Sequence, residues 1–180
     1  ANDLGVDSIE LGATIAVLME AGEGSFGDLP FMQACLAEIR SGSEKGQLYA
    51  SGTARVGAAL KVSRVPVIKK QAISAYDPRV VEVTGISMML TAQGADHTVG
   101  NAPSFKCDDK SIAELVAESL RMQINSAVAD SFGLCVFGRS VTDDNLKLIA
   151  DAINDAFDAG VDPDFIRHIA CLLYTSPSPR

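Results

Sequence analysis

The chain has 180 residues, 47% of them apolar, so it can fold around a sizeable core. Its formal net charge of −8 argues against binding nucleic acid or an anionic membrane surface, since both attract clustered Lys and Arg. The longest mostly apolar stretch, Ala13–Met19, is too short to cross a bilayer, and the polar start of the chain leads us to expect no signal peptide. The four cysteines form no CxxC pair, which favours free thiols and a cytoplasmic location.

Both ends of the chain are predicted to be ragged. The chain starts at Ala1 without a Met, which indicates that the true N-terminus lies upstream. The last ten residues, Cys171–Arg180, are predicted to break the helical pattern and resemble a translated sequencing adapter. We therefore leave Cys171 out of any metal or redox argument and expect an internal fragment of a longer protein.

The first half of the chain predicts three helices and an extended connector. Asp7 or Ser8 is placed to cap the first helix, which Gly22 ends. The second begins at Leu29–Pro30, and the third is rich in Ala and Gly. The connector alternates apolar and polar residues around Pro66, as an extended segment does. The four elements are expected at about residues 9–20, 29–39, 43–60 and 65–73.

The second half of the chain is also predicted to be helical. A short helix is expected from Gly85 to Leu90, and Ser111 with Glu114 forms a capping box at the start of a long one. The long helix carries apolar residues at helical spacing, which predicts a core stripe. Further helices are expected from Thr142 to Phe157 and from Pro163. The stripe consists of Ile112, Leu115, Val116, Leu120, Ile124 and Val128.

Generic motifs do not name a reaction. Gly22–Gly27 has the GxGxxG spacing of a dinucleotide loop, but it follows a predicted helix and not a strand, so we interpret it as a helix connector. Cys135 directly follows a long helix and could ligate iron, although one cysteine cannot hold a cluster. His97 lies beside a glycine-bearing loop and could donate a proton, although such a histidine is more often structural.

Four segments, taken in order, resemble the C-terminal helical region of the aldehyde:ferredoxin oxidoreductases. The resemblance covers residues 1–170 and implies a mainly α fold. It also implies that the chain is a fragment that lacks the sheet-rich N-terminal domain of the family. It implies that residues 1–70 belong to the second, helical domain and residues 71–170 to the third, with 171–180 as the adapter tail. The segments are Asn2–Ile9, Ala75–Arg79, Gly94–His97 and Asp130–Cys135.

The resemblance implies a tungsten (or molybdenum) bis-pterin cofactor beside a 4Fe-4S cluster. Two copies of a DxxGL(C/D) pattern would each clasp one pterin. In the second copy, Asp130 and Leu134 are implied to contact a pterin and Cys135 to be the fourth cluster ligand. The first copy departs from the pattern: Asn2 replaces the leading Asp and Val replaces Leu, while Asp7 keeps the closing acid.

The implied activity is the oxidation of an aldehyde to a carboxylic acid, with ferredoxin or another electron-transfer protein as acceptor. His97 is implied to orient the substrate oxygen or shuttle a proton. A homodimer is one assembly that the resemblance allows for the parent enzyme. The other cluster cysteines and an active-site glutamate are expected upstream, so the fragment alone is expected to be inactive. We also expect Asp7, His97, Asp130 and Cys135 to converge on one concavity.

Two other interpretations stay open from the sequence. A divergent member of the same family, such as a benzoyl-CoA reductase-type catalytic subunit, would act on another substrate. A non-enzymatic helical binding module would use Cys135 and His97 only as structural residues. An upstream cysteine cluster distinguishes the enzymes from the module.

Overall fold

The computed structural model describes residues 1–143 and 145–175, without the side chains of residues 173–175, and helices dominate it. The prediction of a mainly α fold is confirmed. The chain forms two compact units: the first comprises residues 1–77 and 88–97, and the second residues 78–87 and those from Thr98 onward. The assignment of residues 1–70 and 71–170 to separate family domains stays a prediction.

The first unit consists of four helices and a two-stranded hairpin. Helix α1 packs against α4, and α2 packs against α3. Their shared core includes the fully buried Val17, Leu18, Cys35 and Val56. A 3₁₀ turn at Asn2–Leu4 precedes α1 (Ser8–Glu20), α2 (Leu29–Ser41), α3 (Glu44–Ala50), α4 (Thr53–Ala59), β1 (Val67–Ile68) and β2 (Gln71–Ala72).

The predicted helix starts in this unit are confirmed by their caps. The Asp7 carboxylate accepts a hydrogen bond of 2.8 Å from the Glu10 amide at the start of α1. Asp28 does the same for the Phe31 amide, at 3.0 Å, before Pro30 in the first turn of α2. Each carboxylate satisfies an amide that has no partner inside the helix. The segment 22–27 connects α1 to α2, as the sequence indicated.

The single helix expected over residues 43–60 is wrong, because the chain breaks it into α3 and α4. Gly52 has a φ of +95°, which a helix does not accommodate, and it caps α4. The break frees the amide and hydroxyl of Thr53 for a partner outside their own helix. That partner is Glu10 on α1.

Glu10 joins three elements of the first unit. One carboxylate oxygen accepts from the Thr53 amide at 3.0 Å and from its hydroxyl at 2.8 Å. The other oxygen accepts from the amide of Ala72, in β2, at 2.7 Å. Since hydrogen bonds to a charged acceptor are among the stronger ones in proteins, Glu10 ties α1 to both α4 and the hairpin.

The extended connector predicted over residues 65–73 is a hairpin. Val67 lies opposite Ala72 and Ile68 opposite Gln71, in antiparallel register. The turn consists of Lys69 and Lys70, with φ values of +51° and +70°. A two-residue turn with positive φ at both positions matches the twist of the strands, but it is normally built from Asn and Gly.

The second unit contains the longest helix of the described chain. Helix α6 packs against α9, which also packs against α8. One core group lies between these helices and includes Val128, Ile149 and Ile166, and a smaller group surrounds Val83, Ala102 and Leu115. The helices are α5 (Glu82–Leu90), which begins in this unit, α6 (Ile112–Ser131), α7 (Arg139–Thr142), α8 (Leu146–Phe157) and α9 (Pro163–Thr175), with a 3₁₀ turn at Val136–Gly138.

The capping box of α6 is confirmed, but its apolar stripe is only partly core. Ser111 and Glu114 exchange the two expected hydrogen bonds. Leu115 and Val128 are buried, whereas Ile112, Val116 and Leu120 are 81%, 47% and 51% exposed. The core beside α8 and α9 reaches only the C-terminal half of α6, which explains why helical spacing overestimated the buried face.

Two predicted boundaries in this unit are wrong. Helix α8 begins at Leu146 with Asn145 as its cap, not at Thr142, which belongs to α7. Helix α9 continues to Thr175, so the predicted break at Cys171 is not observed over residues 171–175. Residues 176–180 lie outside the described part, and the adapter origin of the tail stays a prediction. Across the described ranges, every helix is too short or too polar to traverse a bilayer.

Replacing Glu10 with Gln tests whether the Glu10 carboxylate stabilises the first unit by joining α1 to α4 and the hairpin. Because a neutral amide oxygen is a weaker acceptor and can serve only one side, we expect the free energy of unfolding to fall by about 2 kcal/mol. Urea unfolding followed by circular dichroism measures it. Glu23→Gln, an exposed change between α1 and α2, is the control. An equal loss of unfolding free energy in the two variants would contradict this role of Glu10.

Candidate functional site

The segment Asp130–Cys135 forms the C-terminal end of α6. Gly133 has a φ of +63°, and its amide donates to the Asp130 carbonyl at 3.3 Å. The Leu134 amide donates to the Ala129 carbonyl at 2.8 Å. This pair of bonds is a Schellman motif, in which a left-handed residue ends the helix and satisfies its last carbonyls. The glycine of the pattern is therefore explained by local backbone geometry.

Some side chains of this segment pack against the core, and others are exposed. Leu134 packs against the core of α6, α8 and α9, next to Val128. Asp130 is exposed, and its carboxylate makes no hydrogen bond or ion pair with the described residues. Cys135 is exposed and its thiol is free. The segment thus presents a carboxylate and a thiol to the outside while Leu134 anchors it.

The segment Asn2–Asp7 has the same backbone pattern as Asp130–Cys135. Gly5 has a φ of +66°, and its amide donates to the Asn2 carbonyl at 3.1 Å. The Val6 amide donates to the Ala1 carbonyl at 3.4 Å, which completes a second Schellman motif. We call these two segments the first and second clasp motifs.

The closing residues of the two clasp motifs have nearly the same conformation. Asp7 has φ −65° and ψ 134°, and Cys135 has φ −67° and ψ 129°. Each is the residue from which the next helix starts. Asp7 uses one oxygen to cap α1, whereas Cys135 makes no capping bond with its side chain. The thiol is therefore available to a ligand, and Asp7 keeps one uncommitted oxygen.

A pocket of about 550 Å³ opens beside the first clasp motif, within the first unit. Asp7 and Glu10 line it together with the cationic Arg55 and Lys70. Thr14 and Tyr49 close the side toward the core. The first clasp motif therefore borders a concave space that also contains two positive charges.

His97 is held by the loop that follows α5. Its half-buried ring stacks on Tyr76, with centroids 5.7 Å apart and planes at 27°. The hairpin supports this loop: Lys69 donates through Nζ to the Thr91 carbonyl, and a Cβ on Gly94 would meet the Ile68 carbonyl at 3.0 Å. The His97 ring makes no hydrogen bond with the described residues, so both of its nitrogens can serve a ligand.

The side-chain types at the two clasp motifs fit the pterin and the iron–sulfur cluster that the family resemblance implied. Exposed carboxylate and amide oxygens can accept from ring N–H groups, and an exposed thiolate can ligate iron. Asn2, Asp7 and His97 lie in the first unit, and Asp130, Leu134 and Cys135 in the second. The expected convergence of these residues stays a prediction. Among the residues that the structure describes, no three His, Cys, Asp or Glu are grouped to hold a metal ion.

Three residues of the pocket and its frame were missed from the sequence. Glu10 lies within a helix, and nothing in its local sequence signals a contact with Thr53, 43 residues away. Arg55 and Lys70 lie in segments that were interpreted only as helix and connector. Neither residue lies in a recognisable motif, so the sequence carried no signal that would have found Arg55 or Lys70.

Comparison with known proteins gives one family. A family model described as aldehyde ferredoxin oxidoreductase, domains 2 and 3, matches residues 1–176. The chain is 27% identical to a tungsten-containing aldehyde ferredoxin oxidoreductase of Pyrococcus horikoshii and 27% identical to one of Pyrococcus abyssi. Each match covers 92% of this chain and 30% of the relative. The chain therefore spans about 30% of the length of the curated relatives it matches.

Replacing Gly133 with Ala tests the backbone explanation of the second clasp motif. A Cβ there would meet nothing within 4 Å, so the cost should come from the left-handed backbone and amount to about 1 kcal/mol. Chemical denaturation measures it. Gly138→Ala is the matched control, because its surroundings are equally open but its φ is −89°. A similar loss at both positions would show that the left-handed conformation is not required.

Proposed function

The chain belongs to the aldehyde ferredoxin oxidoreductase family, and from this premise we propose that it is the pterin-facing helical part of an enzyme that oxidises aldehydes to carboxylic acids. Ferredoxin or a similar protein would accept the electrons. The observation that supports the proposal is the repeated clasp motif, with one backbone conformation in two units and a presented acid or thiol in each. The names of the relatives supply tungsten as the metal.

The two clasp motifs would each bind one pterin of the cofactor. Asp130 can accept hydrogen bonds from pterin N–H groups with both oxygens, since no described residue competes for them. Asp7 can offer the oxygen that does not cap α1. Asn2 can accept through its amide oxygen but lacks the charge of Asp130, so we expect the weaker contact there. Leu134 holds the second clasp motif against the core.

Cys135 would hold one iron of the cluster. Its exposure and the absence of a capping bond leave the thiolate free to ligate. A 4Fe-4S cluster is usually held by four cysteines, so the other ligands must come from outside the described residues. When bound, the tungsten pterin and the cluster supply two-electron oxidation and a path for the electrons.

His97 would act on the substrate oxygen. A neutral imidazole carries one donor and one acceptor, so it can orient a carbonyl or water oxygen through its N–H and accept a proton from the substrate or water at its other nitrogen. The Tyr76 ring fixes the plane of the imidazole without occupying either nitrogen. The hairpin and Gly94 support the loop behind it. These contacts suit a positioned acid–base group.

The test is made on the protein expressed from its complete reading frame and purified without oxygen. We expect tungsten or molybdenum and about four irons per polypeptide. Cys135→Ser should lower the iron content or convert the cluster to a three-iron form, which electron paramagnetic resonance distinguishes. Cys107→Ser, at a half-buried thiol in the second unit, is the matched control and should leave iron unchanged.

Two outcomes would contradict the proposal. A protein without iron and without tungsten or molybdenum would favour the non-enzymatic helical module. Equal iron in wild type and in Cys135→Ser, with the same spectrum, would remove Cys135 from the cluster. If the metals are present but aldehydes are not oxidised, another substrate of a divergent family member becomes the better account.

A further inference from the structure

The pocket beside the first clasp motif contains two cations that have no partner among the described residues. Arg55 on α4 and Lys70 at the hairpin turn both line it. Both side chains are exposed, and neither forms an ion pair or hydrogen bond with the described residues. Two positive charges that face one concavity attract an anion, and an exposed site leaves room for one to enter.

Three of the four carboxylate oxygens in the same pocket are already engaged. Both oxygens of Glu10 accept hydrogen bonds, from Thr53 and from the Ala72 amide. One oxygen of Asp7 caps α1. These three oxygens serve the frame of the first unit. Two acids and two cations line the pocket, and Arg55 and Lys70 are the charged groups that form no hydrogen bond or ion pair with the described residues.

The two lysines of the hairpin turn differ in what their side chains contact. The φ of Lys70, +70°, belongs to the left-handed region, in which a side chain is strained and Gly is favoured. Lys69 has a structural role at the same turn, because its Nζ donates to the Thr91 carbonyl. Lys70 makes no comparable contact within the described chain. The hairpin turn accounts for the left-handed backbone at Lys70, so the pocket-lining side chain is the part of this residue that can bind a ligand.

We propose that this pocket is an oxyanion site in which Arg55 and Lys70 bind a phosphate or carboxylate group. The planar guanidinium of Arg55 can donate two parallel N–H bonds to such a group, and Lys70 adds a point charge. Asp7, the proposed pterin contact, borders the same pocket. The identity of the ligand therefore rests on the proposed function. Two sources share this chemistry: the phosphate arm of the pterin cofactor and the carboxylate of a substrate or product.

Lys70→Gly gives the sharpest test. Glycine relieves the left-handed strain, so the melting temperature should stay equal or rise, while affinity for an oxyanion falls. We expect about a tenfold loss, as for one charge-assisted hydrogen bond. Calorimetric titration of the metal-free full-length protein with inorganic phosphate, and then with acetate, measures it. Wild type should bind at least one of the two anions.

Lys61→Gly is the matched control. Lys61 is also an exposed, left-handed lysine of the first unit, with a φ of +55°, but it does not line the pocket. Lys61→Gly should leave the melting temperature equal or raise it, as Lys70→Gly does, but should keep the wild-type affinity for the anion. Arg55→Gln and Arg40→Gln form a second pair, because Arg40 is exposed on α2 away from the pocket. Only Arg55→Gln should weaken binding.

The loaded protein separates the two sources. If the cofactor phosphate occupies the site, the loaded protein should no longer bind added phosphate, and Lys70→Gly should retain less tungsten. If a substrate carboxylate occupies it, tungsten should be retained, and KM should rise for an aldehyde that carries a carboxylate but not for a neutral one. Either pattern supports the site.

Two results would overturn the oxyanion site. The first is that wild type binds neither phosphate nor acetate. The second is that the pocket variants and their controls lose affinity equally. Such a failure is distinct from failure of the proposed function. A protein that holds tungsten and iron but binds no anion would contradict only the oxyanion site. A protein that binds the anion but holds no metal would contradict only the proposed function.

Discussion

A left-handed glycine that ends a helical turn is the constraint on which both parts of the candidate site depend. Gly5 and Gly133 each close a Schellman motif, and the residue two positions later starts the next helix in an extended conformation. Without this reversal of the chain, Asp7 could not cap α1 and Cys135 could not lie outside the end of α6. The same turn therefore fixes the fold locally and leaves the exposed acid or thiol just after it.

The frame of the first unit connects the site to elements distant in sequence. Glu10, one turn after Asp7, holds α4 and β2 through charge-assisted hydrogen bonds. The hairpin that follows contacts the loop before His97 through Lys69 and Gly94. Glu10 thus holds the elements that line the pocket, and the hairpin that it bonds to also supports the loop before His97.

Much of the fold could be predicted from the sequence, because caps and glycines act locally. Asp7, the Leu29–Pro30 pair and the Ser111–Glu114 box marked their helix starts correctly. The break at Gly52 and the hairpin at Lys69–Lys70 were missed, since Glu10 stabilises them from a distance of 43 residues or more. Exposure of Ile112, Val116 and Leu120 was also missed, because helical spacing shows an apolar face but not what packs on it. The clasp residues were found through their pattern, whereas Arg55 and Lys70 belong to no pattern.

The central claim is that the two clasp motifs do the same work, each on one pterin. The most direct measurement is the amount of pterin released from the anaerobically purified full-length protein, by fluorescence after oxidation, for wild type and for Asp130→Ala. The account predicts two pterins for each tungsten in wild type and loss of pterin together with tungsten in the variant. A full complement of pterin in Asp130→Ala, or a single pterin for each tungsten in wild type, would contradict it.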